Sequence, residues 1–245
     1  MRDYKQETEK RVAFIRSLLE ESHCRGIVFG NSGGKDCALV GILCKLACEN
    51  TVSVMMPAGS KINLTTDLQD ARALCESFAI ENRLVDLTET KEAEIAALSK
   101  VTELNSQALT NLAPRLRMTT LYAIGAAEGR LVAGTGNRSE RFMGYFTKWG
   151  DGGCDFNPIS DLTVGEVYEF LRYLGAPSSI IEKAPSAGLF EGQTDEKEMG
   201  VTYAAIDRYI LTGEASDEDR AIIERYHSRA LHKLNPIPTF ETSQK

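Results

Sequence analysis

The chain has 245 residues, 42% of them apolar and 26% charged, with a formal net charge of −7. That length supports one sizeable core, the composition is that of a soluble globular protein, and the acidic balance argues against nucleic-acid binding through a broad basic face. No run approaches the roughly 18 apolar residues of a transmembrane helix, and "MRDYKQETEKRVAFIRSLLEE" lacks the apolar centre of a signal peptide, so a cytoplasmic protein without membrane association is expected.

The N-terminal stretch reads as an amphipathic helix with Val12, Ile15, Leu18 and Leu19 on one side. "RGIVFG" (25–30) is a short buried strand, followed by a helix from about Asp36 to Glu49. A second strand at 51–57 precedes a helix through "TTDLQDARALCESF", and a third strand at 82–87 again leads into helical pattern. Residues 114–129 are helical, and "RLVAGTG" (130–136) is a fourth strand ending in glycines. This alternation predicts an α/β fold: a single-domain open parallel sheet flanked by helices.

Beyond residue 144 the pattern loosens. Residues 144–162 form a glycine-rich, aromatic and charged loop, and "TVGE" (163–166) has the capping-box pattern that opens a helix through "VYEFLRYLG". A long irregular stretch covers 183–200, and helices around 202–211 and 217–233 close the chain, the last capped by Ser216. Six cysteines show no CxxC spacing; Cys44 and Cys48, one helical turn apart, read as core, and reduced thiols are expected throughout.

The chemistry starts in "IVFGNSGGKDCALVG" (27–41). A glycine turn between a parallel strand and a helix exposes successive N–H groups, and with the helix N-terminus these form an anion site. Gly33 and Gly34 would let a pyrophosphate approach the main chain, with Ser32 and Asn31 as further donors. The loop is not GxxxxGK[ST], and GxGxxG is missing, so Walker-type kinases and hydride-transfer enzymes lose their best support. Asp36 then has two readings: a carboxylate favoured at a helix N-terminus, or a ligand for Mg²⁺ that bridges phosphates.

The fourth strand repeats the design in "VAGTGNRSERFMGYF" (132–146). Thr135 would reach the same sheet edge, and Glu140 is either a solvated helix residue or a second ligand for the cation of Asp36. Lys148 and Asp155 lie in a loop where Tyr145, Phe146 or Trp149 could stack on a ring. Arg115 and Arg117 point to different helix faces, so at most one is expected to enter a given site. His232 and Lys233 end a helix, where the dipole favours cations. No Ser/His/Asp or Cys/His nucleophile arrangement is visible.

"SGGKD" resembles the SGGxDS loop of the N-type ATP pyrophosphatases. "GTGNRSERFMGYFTKWGDGGCDFNPISDLTVGEVYEFLRYLGAP", followed by "KAPSAGLFEGQTDEKEMGVTYAAID", is similar to the ammonia-dependent NAD synthetases within that superfamily, over roughly residues 10 to 240. The resemblance implies an adenine nucleotide alpha hydrolase-like fold and a C–N ligase that makes NAD from deamido-NAD, ATP and ammonia through an adenylated nicotinate. It implies a single synthetase domain over 1–245 without a glutaminase domain, and a homodimer. Gly30, Asn31, Ser32, Gly33, Gly34, Lys35, Asp36 and Cys37 would then line the ATP phosphates, with Thr135 and Ser186 as further ATP contacts. Asp36 and Glu140 would hold Mg²⁺, while Arg115, Lys148, Asp155, His232 and Lys233 would contact deamido-NAD. Asp36, Glu140 and Lys148 would be the catalytic set.

Cys37 stands where the family has a serine and is a weaker donor to phosphate. Val164 stands where some relatives have a lysine, and Asn31 and Lys35 occupy variable places. Two rivals remain on sequence grounds: another enzyme of the superfamily, acting on a different nucleotide or on tRNA, and a non-catalytic nucleotide-binding protein switched by ATP.

Overall fold

Period-two burial divides the first strand between two cores. In β1 (Gly26–Gly30), Ile27 and Phe29 enter one apolar cluster and Val28 the other, and all three are fully buried. The structure is a computed structural model that describes residues 2–59, 66–183 and 195–240. Strand β1 lies between β2 (Thr51–Met55) and β4 (Arg130–Ala133), with β3 (Glu81–Leu84) outside β2, and every pairing is parallel. Val28 stands opposite Val52 on one side and Val132 on the other.

Parallel pairing requires crossovers. They are supplied by α2 (Lys35–Ala47) after β1, α3 (Thr66–Ser77) after β2, and α4 (Thr88–Leu98) with α5 (Ser106–Glu128) before β4. The first core joins β1 to α1 (Tyr4–Ser22), α2, α7 (Val164–Leu174) and α8 (Ser178–Ile181), whereas α5 covers the opposite face. A third cluster, built on Met143, Met199, Tyr203, Ile206 and Ile223, unites α6 (Arg138–Met143), α9 (Asp195–Met199), α10 (Tyr203–Thr212) and α11 (Asp217–Leu234).

The chain runs outward from β1 through β2 to β3, then returns to lay β4 on the other side of β1. This reversal opens a crevice at the carboxyl ends of β1 and β4, where open α/β sheets bind ligands.

The expected fold class and strand order along the chain are borne out. Helix α5, however, begins at Ser106 rather than at Pro114, because Asn105 caps it by accepting from the Ala108 amide at 2.9 Å. Pro114 therefore sits inside the helix, at the expense of one backbone hydrogen bond. Strand β3 stops at Leu84, short of the expected 87; as an edge strand it leaves Glu81 and Leu84 exposed. The capping box forms as expected, with Thr163 accepting from the Glu166 amide and Glu166 from the Thr163 amide. Ser216 caps α11 on the Asp219 amide at 3.1 Å. Cys44 is fully buried in the first core, and all six thiols are free.

At the end of α5, Glu128 accepts from Arg83 of β3 and, at 2.7 Å, from Nε of Arg130 at the start of β4. The hydrogen bonds from Arg83 and then Arg130 hold its carboxyl down at about 2, below its ordinary 4.5. A depressed folded-state pKa contributes stability that is complete above the unfolded value and is lost as pH falls through the folded one. Glu128→Gln should therefore lower the thermal midpoint at neutral pH, and the difference from the wild type should close between about pH 4.5 and about pH 2. A difference that persists at pH 2 would contradict this ion-pair account.

Candidate active site

Two carboxylates, one from each side of the strand reversal, meet over a single ammonium. Asp36 lies in the first turn of α2, just after β1, and Glu140 in the first turn of α6, just after β4. Lys35 Nζ donates to Asp36 Oδ2 at 2.6 Å and lies 3.6 Å from Glu140 Oε1. Asn137, the N-cap of α6, occupies the remaining carboxylate oxygens. Its Nδ2 donates to Asp36 Oδ1 at 3.0 Å, its amide donates to Glu140 Oε2 at 3.2 Å, and its Oδ1 accepts from the Glu140 amide at 2.9 Å. Each carboxylate thus gives one oxygen to Asn137 and turns the other toward the shared cation.

The electrostatics follow from burial. Lys35 is only 7% exposed, which opposes its charge, but Asp36 and Glu140 outweigh that and hold it protonated. Burial and the charge of Asp36 push the Glu140 carboxyl up, against the pull of Lys35. The Tyr203 ring lies 5.7 Å from the ammonium, and its hydroxyl donates to Asp195 Oδ2 at 3.1 Å.

The glycine loop is pinned from behind. Asn31 is buried, donating to Ser53 Oγ at 3.1 Å and to the Ala71 carbonyl at 3.3 Å, while its Oδ1 accepts from the Gly33 amide at 3.0 Å. Gly33 has φ +72°, and a Cβ there would stand 2.3 Å from the Asp67 carbonyl oxygen. The residue must be glycine for the turn and for its packing on α3. Gly34 lines the cavity, whereas Gly33 lies behind it against α3. Gly34 is the N-cap of α2 and offers no side-chain cap, so the first-turn amides are left for an anion. The Cys37 thiol, pushed up by burial, sits 3.3 Å from Ser32 Oγ.

These groups open on a cavity of about 1010 Å³. Gly30, Asn31, Ser32, Lys35, Asp36 and Cys37 line it beside Gly34, and Thr135 and Glu140 face them from the β4 side. Arg115, Lys148, His232 and Lys233 line it as well. Lys148 Nζ donates to the His232 carbonyl at 2.6 Å, bringing the 144–162 loop onto the end of α11. Lys233 Nζ donates to the carbonyls of Gly144 at 2.7 Å and Phe146 at 2.6 Å, and burial lowers its pKa.

Several expectations are revised. Both Arg115 and Arg117 line the cavity, because i and i+2 spacing separates Cα directions and not the reach of two guanidinium groups. Arg117 Nε donates to the Met56 carbonyl at 2.9 Å, and no carboxylate lies within ion-pair distance of it among the described residues. Asp155 is not brought to the cavity: Oδ1 accepts from the Tyr122 hydroxyl at 3.0 Å and Oδ2 from the Val132 amide at 2.8 Å, so it braces β4. Trp149 is 54% exposed and outside the lining, whereas Tyr145 and Phe146 contribute to it. Val164 is a core residue of the third cluster. Ser186 lies outside the described residues. Sequence reasoning missed Asn137, although Asn137 and Glu140 stand in capping spacing, and it drew nothing from Lys35.

The donor set suits a hard divalent cation. Mg²⁺ takes one or two carboxylates and completes its shell with phosphate and water oxygens, and here two carboxylate oxygens already converge on one cationic group. Among the described residues, no group of three or more His, Cys, Asp or Glu is placed to enclose a metal without such help.

Comparison with known proteins agrees with this architecture. The family profile described as NAD synthase matches residues 7–236. The NH(3)-dependent NAD(+) synthetase of Carboxydothermus hydrogenoformans is 47% identical over 234 residues, covering 94% of this chain and 95% of the relative. Among solved structures, the NMN synthetase from Francisella tularensis superposes with a TM-score of 0.93 at 35% identity, over 99% of this chain and all of the other. The NH3-dependent NAD synthetase from Campylobacter jejuni, in complex with the nitrate ion, gives 0.79 at 31% identity, over 98% and 100%. With its sheet order, its paired carboxylates and these likenesses, the chain belongs to the NAD synthase family.

Proposed function

We propose that the protein amidates deamido-NAD with ammonia, splitting ATP to AMP and pyrophosphate, and that the cation position shared by Asp36 and Glu140 is where Mg²⁺ is held. The observation that carries this is the convergence of Asp36 Oδ2 and Glu140 Oε1 on one ammonium, at the rim of a cavity that also holds an uncapped helix N-terminus. Free ammonia as the nitrogen donor rests on the NH(3)-dependent relatives, whose length the chain nearly matches.

The chemical problem is that a carboxylate oxygen is a poor leaving group. The nicotinate carboxylate attacks the α-phosphorus of ATP, the bond to the β-phosphate oxygen breaks, and pyrophosphate leaves. Ammonia then attacks the acyl carbon of the mixed anhydride, AMP departs with the carbonyl–oxygen bond, and one proton is released. No protein nucleophile is needed, and positioning with charge neutralisation is the main requirement. Bound Mg²⁺ supplies Lewis-acid stabilisation of the departing phosphates. The Gly34–Asp36 turn offers amides to the phosphate chain, Thr135 a hydroxyl from the β4 side, and Arg115, Arg117 and Lys148 positive charge for the dinucleotide. His232 and Lys233 hold the loop that carries Lys148 against the cavity. Asp155, which accepts from Tyr122 and from the Val132 amide, keeps its proposed contact with the dinucleotide.

A homodimer is part of the reading. Helix α4 buries no residue, and the 23-residue α5 buries only Ala113, Leu121 and Gly125, which leaves a long helical surface for a second copy. The six free thiols support a reducing, cytoplasmic setting. No described helix is long and apolar enough to cross a membrane.

A second reading, a mononucleotide acid as the substrate amidated, is favoured by the overlay on an NMN synthetase. A pyrophosphate-release assay with ATP, Mg²⁺, ammonium and either deamido-NAD or nicotinate mononucleotide, leaving out one component at a time, separates them. Pyrophosphate that requires deamido-NAD, with NAD formed only when ammonium is present, is the expected result. Faster turnover of the mononucleotide would install the second reading, and ATP binding without pyrophosphate release would mark a nucleotide-binding protein. Asp36→Asn and Glu140→Gln should each lower kcat by about 10²–10³-fold, the scale of lost transition-state charge stabilisation; wild-type turnover by either variant would contradict the metal assignment.

A further inference from the structure

Lys35 occupies a position that neither helix energetics nor packing favours. It is the first residue of α2, where the helix dipole is positive and a cation is disfavoured. Its ammonium is almost wholly removed from water, which is unfavourable unless opposite charge offsets it. The offset comes from Asp36 at 2.6 Å and Glu140 at 3.6 Å, with the Tyr203 ring face at 5.7 Å. Those two carboxylates, at 13% and 18% side-chain exposure, would repel each other if the ammonium were removed. Lys35 therefore holds the site together by lying where its two oxygens converge.

We propose that Lys35 is the resident counter-cation of the Asp36–Glu140 pair, and that a divalent metal binds only by displacing its ammonium toward the nucleotide phosphates. This rests on the assignment of the pair as the metal site. The displaced side chain is rooted on the glycine loop itself, next to the α2 amides that would hold a phosphate. Metal and ATP binding are thereby coupled: the metal releases the cation that the phosphates then receive. In the metal-free protein, the same ammonium holds the two carboxylates together and the α2 and α6 ends in register.

The test uses Mn²⁺ titrated into the full-length protein without nucleotide, followed by electron paramagnetic resonance and by the thermal midpoint. Lys35→Met keeps the stem and removes the competitor, whereas Lys35→Arg retains a charge. Lys35→Met should bind Mn²⁺ at least about 10-fold tighter than wild type, which corresponds to about 1.4 kcal/mol. Its metal-free midpoint should fall, its Mn²⁺-induced gain should exceed that of the wild type, and its KM for ATP should rise. A lysine with a purely structural role would not move metal affinity and ATP affinity in opposite directions. Lys35→Arg should stay close to wild type in Mn²⁺ affinity.

Equal or weaker Mn²⁺ binding by folded Lys35→Met would overturn the displacement while leaving the metal site in place. Unchanged Mn²⁺ binding by Asp36→Asn and Glu140→Gln would instead overturn the site assignment on which the inference rests. Absence of Mn²⁺ binding in wild type and Lys35→Met alike would overturn both.

Discussion

Two carboxylates that face each other in a partly buried crevice repel, and they stay together with positive charge or a proton between them. The organisation of this protein's functional end follows from that constraint. Asp36 and Glu140 come from helices that follow the adjacent strands β1 and β4, so the pair exists only because the chain returns from β3 to place β4 beside β1. Asn137 then bonds one oxygen of each, which fixes the direction of the other two. With the carboxylates oriented, charge is the remaining variable, and Lys35 supplies it within the chain.

The same constraint separates the two ends of the cavity. On the glycine-loop side, negative charge is concentrated at the cation position, and the α2 N-terminus offers amides to an anion. Away from it, Arg115 and Lys148 line the wall at the 144–162 loop, whereas Arg117, bonded to the Met56 carbonyl and within electrostatic reach of Cys37, lies beside the glycine loop. A ligand pair with phosphates at one end and a nicotinate acid at the other fits this polarity. The reacting carboxylate and the α-phosphorus would then meet between them, with no side-chain nucleophile required. Two of the expected contacts also hold the walls: Lys233 ties the turn at Gly144 and Phe146, and Asp155 braces β4.

What could be read from the amino acids alone depended on whether a signal was local. The strands and crossover helices were legible because apolar runs and turn residues mark them, and Asp36 and Glu140 because each follows a glycine-ended strand. The resemblance in "GYFTKWGDGG" carried the family. The start of α5 was not legible, since Pro114 resembles a helix opening while the true cap is Asn105. Whether a polar side chain spends its atoms on a ligand or on its own fold is a tertiary fact, which is why the bonds of Asp155 to Tyr122 and Val132 and the packing of Gly33 on Asp67 could not be read from the amino acids alone. Lys35 was hidden for the same reason: nothing in "GGKDC" reveals that its side chain folds back between two carboxylates.

The most direct measurement of the central claim is pulsed electron paramagnetic resonance on Mn²⁺ and ATP bound to wild type, Asp36→Asn and Glu140→Gln. The account predicts one protein-held Mn²⁺ in the wild type with phosphorus hyperfine coupling from ATP, and loss of that protein-held species in both variants. An unchanged wild-type spectrum in either variant would show that the cation is held elsewhere, and the carboxylate pair would lose the role assigned to it.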